Sequence, residues 1–133
     1  MPATQAKLII REARAADAPA VAALSRKVYG KADGFSSAQI RGQINNFPEG
    51  QFVAEYEGTV VGYCATQIVG EDIAFAAHSW DEITGGGFAT RHDPEGDILY
   101  GMEVCVDPDY RRLRIGQRFY RKRQELCQSY ELK

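Results

Sequence analysis

The sequence predicts a single α+β domain, and three observations carry that prediction. Strand-length apolar runs and amphipathic helical stretches follow in the order strand, helix, helix, strand, strand, strand, helix. The pair Glu57-Gly58 is a turn signal between two β-rich runs, which makes them an antiparallel hairpin. A chain of 133 residues, 44% hydrophobic and 26% charged, suits one globular core.

The elements follow in order. Residues 7 to 13, KLIIREA, give a first strand on Leu8, Ile9 and Ile10. Asp17 is placed as a helix N-cap, with Pro19 in the first turn. Val21, Leu24 and Val28 recur at helical spacing, and Gly30 supplies the stop. Ser36-x-x-Gln39 is a capping box opening a second helix, whose apolar stripe is Ile40, Ile44 and Phe47. Pro48 and Gly50 end it.

Phe52, Ala54 and Tyr56 alternate with mostly polar residues in the first hairpin strand, and Val60 to Val69 form the second. Gly62 inside that strand marks a bulge or a close backbone approach. Residues 70 to 96 read as an irregular loop, flexible at Gly85-Gly86-Gly87 and anchored by Trp80 and Phe88. Residues 97 to 106 form another strand. Strict alternation puts Ile98, Tyr100, Met102, Val104 and Val106 on one face, and Leu99, Gly101, Glu103 and Cys105 on the other. Pro108 ends it. A last helix runs from Ile115 to Tyr130 with Ile115, Phe119, Leu126 and Tyr130 as its buried stripe.

Composition narrows the function. Cys64, Cys105 and Cys127 are odd in number and lack C-x-x-C spacing, and His78 and His92 have no cysteine nearby. Neither a disulfide framework nor a metal site is expected, and a reducing cytoplasm is the natural setting. No run of 18 apolar residues indicates a membrane span, and Met1 to Lys7 lack the apolar core of a secretory signal. Net charge is −2, yet seven of the sixteen basic residues lie at positions 111–123, with no acid among them. That cluster points to one anionic ligand at one place.

The chemistry is concentrated in Val104 to Gln117, VCVDPDYRRLRIGQ. A strand ends, arginines follow, and Ile115-Gly116 opens a basic helix. A helix start offers unpaired N–H groups and the positive end of a dipole, which suit phosphate oxygens. Gly116 lets a bulky anion approach the backbone, and Arg111, Arg112 and Arg114 add charge-assisted hydrogen bonds. The arrangement suits a pyrophosphate.

At these residues the chain resembles the GNAT N-acetyltransferase superfamily. Val106-Asp107-Pro108 matches its V-x-P signature. Arg111 to Gly116 match the following Q/R-x-x-G-x-G/A at the opening Arg and closing Gly, with Arg114 in place of the middle Gly. The element order matches over the whole chain. The resemblance implies a mixed, mainly antiparallel sheet flanked by helices, binding acetyl-CoA as co-substrate and an amine acceptor. The pantetheine arm would pair with backbone around Val104, Cys105 and Val106. The pyrophosphate would sit on the loop and helix start, with Arg111, Arg112, Leu113, Arg114, Ile115, Gly116 and Gln117. Glu103 would act as general base.

A narrower resemblance, in HSWDEITGGG, HDPEGD, LYGMEVCVDP and RIGQRFY, is to the N-terminal GNAT domain of bacterial proteins that continue into a carbon–nitrogen hydrolase domain. The resemblance also implies a C-terminally truncated domain. The family's next strand, helix and final hairpin, and its usual tyrosine acid, would lie beyond Lys133. The edge at 98–106 would then be open to a second copy, giving a homodimer.

Two other function classes remain. One is a non-catalytic acyl-CoA-binding module that tunes a larger enzyme. The other is a nucleic-acid-binding basic helix, which the acidic remainder of the chain disfavours. Cys105 reads as a packing residue, since no histidine base accompanies it.

Overall fold

The hairpin at Glu57-Gly58 forms as the sequence predicts. Glu57 and Gly58 take φ of 49° and 85°, the left-handed values of a tight hairpin turn whose twist matches that of the strands. The computed structural model describes residues 8–75 and 79–132. The hairpin strands, β2 (Phe52–Tyr56) and β3 (Thr59–Val69), are the middle of a four-stranded antiparallel sheet ordered β1-β2-β3-β4. β1 (Leu8–Glu12) lies outside β2, and β4 (Ile98–Val106) lies outside β3 as the far edge.

Helices cover both faces. α1 (Ala18–Tyr29) and α2 (Ser37–Asn46) pack on one face against Val53, Tyr63, Ala65 and Met102. α5 (Ile115–Tyr130) packs on the other, setting Ile115, Phe119 and Leu126 against Phe52, Ala54, Cys64 and Ile68. Burying Ile115 and Phe119 stabilises the α5 contact by about 1.5–3 kcal/mol for each side chain. Tyr130, expected in the buried stripe, is 42% exposed: it lies at the last position of α5 and meets Phe47 edge-on.

Bulges set the fine geometry. In β2–β3, Ala54 pairs with Gly62 and Glu55 with Val60, leaving Val61 as the extra residue. Gly62 also serves the close approach: an added Cβ would lie 3.0 Å from Ile115 and 3.1 Å from Phe119. The predicted alternation along β4 fails for the same kind of reason. Ala65 pairs with Glu103 but Thr66 pairs with Gly101, so Met102 is an inserted residue. The bulge resets the parity. Glu103 and Cys105 share the α1/α2 face with Tyr100 and Met102, while Val104 and Val106 join Leu99 and Gly101 on the α5 face.

Two further expectations are corrected. Asp17 precedes α1 but does not cap it with its side chain. Its carboxylate is taken by Arg11, at 2.8 and 2.9 Å, and by the Arg14 amide at 2.7 Å. The 70–96 segment is not irregular throughout. It holds α3 (Glu71–Ala74) and α4 (Trp80–Thr84), the latter opened by a Ser79–Glu82 capping box. Nor is Gly85-Gly86-Gly87 loose. All three glycines have positive φ, and α2 clamps the turn, with Gln39 donating to Gly86 O and Gln43 to Gly87 O. The Ser36–Gln39 capping box of α2 and the stop of α1 at Gly30 form as predicted. His78 lies outside the described residues.

Candidate functional site

The turn from β4 into α5 begins with Asp107, the middle residue of the Val-Asp-Pro signature. Its Oδ1 accepts from the Asp109 amide at 2.9 Å, closing the first turn of the 3-10 segment Pro108–Leu113. Its Oδ2 accepts from Lys27 Nζ at 2.9 Å, and the same Nζ bonds Asp109 at 2.9 Å. Burial opposes ionisation of Asp107, but Lys27 and the Asp109 amide hold its carboxyl below the usual range. The turn is thereby tethered to α1.

Arg114 ends the turn with φ 56° and ψ 41°. This left-handed conformation explains why the family pattern favours glycine here, since a Cβ costs about 1 kcal/mol in that region. The kink aims the start of α5 outward. No side chain caps that start. The amides of Ile115, Gly116 and Gln117 have no acceptor within the helix, as in any first turn, whereas the Arg118 amide reaches Arg114 O at 3.3 Å. A Cβ on Gly116 would meet no protein atom within 4 Å, so the space before these amides is open.

Two adjoining grooves flank this helix start: one of about 390 Å³ is lined by Arg112, Leu113, Arg114, Gln117, Arg118 and Arg121, and one of about 490 Å³ by Gly116, Gln117, Tyr120, Arg121 and Gln124. Arg118 and Arg121 complete the cationic wall. Sequence reasoning left them out of the site, although their spacing from Arg114, four and seven residues, already put them on its helical face. Arg111 is exposed but lines neither groove, and Ile115 contributes only its amide because its side chain is buried in the core. Arg112 is steadied by its bond to Asp109 O at 2.9 Å and lies 6.0 Å from the Tyr110 ring centroid.

β4 presents its backbone differently on its two sides. The Asp107 amide donates to Val61 O, so Asp107, Cys105 and Glu103 turn their backbone groups toward β3. By alternation, Val104 and Val106 turn theirs to the open side. Val104 O there accepts from the Tyr29 hydroxyl at 3.3 Å. The Cys105 side chain points into the α1/α2 core, where burial first, then Glu103 and Asp107, push its thiol up to about 12. It stays protonated and is no nucleophile.

Glu103 sits at the bulge on the α1 side. Burial raises its carboxyl above the usual range, against the lowering influence of Tyr29 and Arg123. Its Oε2 is buried without a hydrogen-bond partner. Aromatic rings frame it. Trp80 Nε1 donates to Met102 O at 3.0 Å, and Phe35 stacks on Trp80 at 5.5 Å and meets Tyr29 at 6.4 Å. The carbonyls on either side of Glu103 are therefore each held by an aromatic donor. Sequence reasoning treated Trp80 as a loop anchor and missed this frame, because nothing local to Tyr29, Phe35 and Trp80 reveals that they converge.

The sheet and its flanking helices define a GNAT-like fold, and comparison with known proteins agrees. The Acetyltransferase (GNAT) family pattern matches residues 18–133, and the chain belongs to that family. It is 35% identical over 127 residues to the Probable hydrolase YhcX of Bacillus subtilis, covering 96% of this chain and 25% of that protein. It is 34% identical over 83 residues to the Uncharacterized N-acetyltransferase YkwB of the same organism, covering 62% of this chain and 37% of that one. The chain thus spans well under half of these curated relatives. Among solved structures, the GphF GNAT-like decarboxylase in complex with isobutyryl-CoA is 30% identical with a TM-score of 0.68, over 77% of this chain and 50% of that one. The loading GNATL domain of CurA from Lyngbya majuscula shares the fold, with a TM-score of 0.77 at 18% identity, over 90% of this chain and 58% of that one.

Proposed function

We propose that the chain is an N-acetyltransferase, moving an acetyl group from acetyl-CoA to a primary amine of a small molecule or peptide. The observation that carries this reading is the division of groups across β4 at its bulge. The anion-binding turn and groove lie at the α5 side, while the buried carboxylate lies at the α1 side. Donor and acceptor then approach from opposite faces and meet at the strand.

In this reading the diphosphate rests on the amides of Ile115, Gly116 and Gln117, with Leu113 at the turn and Arg111, Arg112 and Arg114 supplying charge. The pantetheine arm pairs with the open backbone groups of Val104 and Val106, on either side of Cys105. The neutral amine nitrogen attacks the thioester carbonyl carbon. Its proton passes to Glu103, directly or through water. The C–S bond breaks as the amide C–N bond remains, and the sulfur leaves as the CoA thiolate, which takes a proton from solvent. A carboxyl raised by burial is a better match to a working pH near neutrality than an ordinary one. The isobutyryl-CoA bound by GphF supports a CoA thioester as ligand, and the name of YkwB supports transfer to nitrogen. Cys64, Cys105 and Cys127 are free thiols, in keeping with a reducing cytoplasm.

A second reading has one observation in its favour. The chain matches a quarter of a protein named a probable hydrolase, so it could serve there as an acyl-CoA-binding module without chemistry of its own. One experiment separates the two. Thermal melts with and without acetyl-CoA are compared for the parent and Gly116→Asp, alongside thiol release from acetyl-CoA with mixed amines. Acetyl-CoA is expected to raise the parent melting temperature and not that of Gly116→Asp, with amine-dependent thiol release. An equal thermal response removes the phosphate site from Gly116, and binding without release selects the module.

A further inference from the structure

The bulge of β4 leaves one backbone carbonyl that the sheet does not serve. Gly101 and Met102 stand where β3 offers only Thr66. Thr66 turns its backbone the other way: its N–H donates to Gln51 Oε1 at 3.0 Å, and its carbonyl accepts from Gln51 Nε2 at 2.7 Å. Met102 O is thus left without a partner in the β3 ladder, and a buried carbonyl so left is costly. Trp80 supplies the donor, its Nε1 lying 3.0 Å from Met102 O.

The indole is itself fixed in place. Phe35 stacks on it with an interplanar angle of 7°. Gly87 lies against its edge, where an added Cβ would come within 2.9 Å of the ring. Thr84 Oγ1 donates to Trp80 O at 2.7 Å, and the Ser79–Glu82 capping box sets the start of α4. To swing away, the ring would have to unpack the Gly85-Gly86-Gly87 turn, which Gln39 and Gln43 clamp from α2.

Glu103 follows directly on the carbonyl held in this way. The inserted residue is what puts its side chain on the α1 face, since strict alternation would turn it toward α5. A donor on the bulge carbonyl stabilises the bulged strand over a regular one, and so fixes the direction of the carboxylate. We propose that Trp80 is a positioning residue for Glu103, its indole N–H holding the β4 bulge so that the carboxylate stays on the α1 face. The catalytic value of this hold rests on the reading of Glu103 as the base, and it needs no contact with either substrate.

The titratable and charged groups that face Glu103 are Tyr29 from α1, Tyr63 and Cys64 from β3, Cys105 on β4 and Arg123 from α5. Burial pushes both tyrosines and both thiols up, so Glu103 is the member of this set that changes charge in the acid to neutral range.

Trp80 is the single tryptophan of the chain, so its indole N–H gives one resonance in proton NMR. In the parent, that proton is expected to be protected from hydrogen exchange. Its shift is expected to move with pH at the midpoint of the Glu103 carboxyl, read by carbon NMR of labelled glutamate, and to stand still in Glu103→Gln. Trp80→Phe keeps a ring against Phe35 and deletes the donor. It is expected to move the Glu103 midpoint down toward that of ordinary glutamate. It should also lower kcat for acetyl transfer about five- to tenfold, the worth of one hydrogen bond, with KM for acetyl-CoA unchanged. Phe35→Leu removes the stack and keeps the donor, and is expected to leave the midpoint in place. A parent indole N–H that exchanges freely or ignores the Glu103 titration overturns the inference. So does a Trp80→Phe chain with the parent's midpoint, or an equal displacement in Phe35→Leu. The NMR readouts need no turnover: absence of thiol release with every amine overturns the transferase reading and leaves the hold on Glu103 standing. The parent measurements decide even if a variant does not fold.

Discussion

At Glu103 the proposed function sets stability against chemistry. Burial raises its carboxyl, so the folded chain holds that proton more tightly than the unfolded chain does. The stability linked to protonation is complete below the ordinary glutamate range and is lost as pH rises through the raised folded value. Glu103→Gln does not titrate. It is expected to be more stable than the parent at neutral pH, with the gain shrinking to nothing in acid, and to lose about 10²- to 10⁴-fold in transfer rate. Urea melts across pH together with thiol-release kinetics check both; a variant less stable at pH 7 would mean the carboxylate is paired rather than strained. Arg114 makes the opposite trade. Arg114→Gly is expected to stabilise the chain by up to about 1 kcal/mol by relieving the left-handed Cβ, while weakening binding of the anionic ligand. A loss of stability on that change would show that the Arg114 side chain supports the turn.

Among the elements, α5 carries the site and β3 carries α5. Gly62 is where they touch most closely, with Ile115, Phe119 and Ala54 all within 3.2 Å of an added Cβ. Gly62→Val is expected to cost about 1–3 kcal/mol by overpacking, read as a lower urea midpoint at unchanged slope. The turn at Gly85-Gly86-Gly87 is held from α2 in a comparable way. Gln43, fully buried, donates to Gly87 O at 2.7 Å and accepts from the Tyr63 hydroxyl at 2.6 Å. Removing it strands two buried polar groups, so Gln43→Leu is expected to cost about 1–3 kcal/mol. Because α4 leads directly into this turn, the variant should also change the fluorescence of Trp80, the single tryptophan of the chain. An unchanged spectrum and midpoint would show the clamp to be dispensable.

On the scale of the whole molecule, the tether from Lys27 to Asp107 and Asp109 joins one helical layer to the turn that serves the other. Lys27 bonds Asp107 and Asp109 and does not line the groove, so on the proposed function it is a positioning residue. Lys27→Met is expected to raise KM for the acyl-CoA donor with little change in kcat, and Lys27→Arg to recover most of the loss. A fall in kcat at constant KM would place its role elsewhere. On the proposed function the cationic groove contributes electrostatically to donor binding, so the affinity for CoA should fall with added salt.

The sequence alone determined the order of elements, the hairpin at Glu57-Gly58, the Ser36–Gln39 cap, the close approach at Gly62 and the basic turn from strand to helix between Val106 and Gly116. Each is a local signal: a turn residue, a cap spacing, a missing side chain, a run of charge. The tertiary structure decided the rest. The bulge at Met102 depends on how β4 registers against β3, and it alone turns Glu103 from the face that simple alternation assigns it to the face of α1. The convergence of Tyr29, Phe35 and Trp80 on the carbonyls beside Glu103, the reach of Lys27 across 80 residues, and the lodging of Arg123 under Gly101 join positions far apart in the chain. No periodicity encodes such pairs, because they are fixed by packing between layers and not by the backbone geometry of any one element.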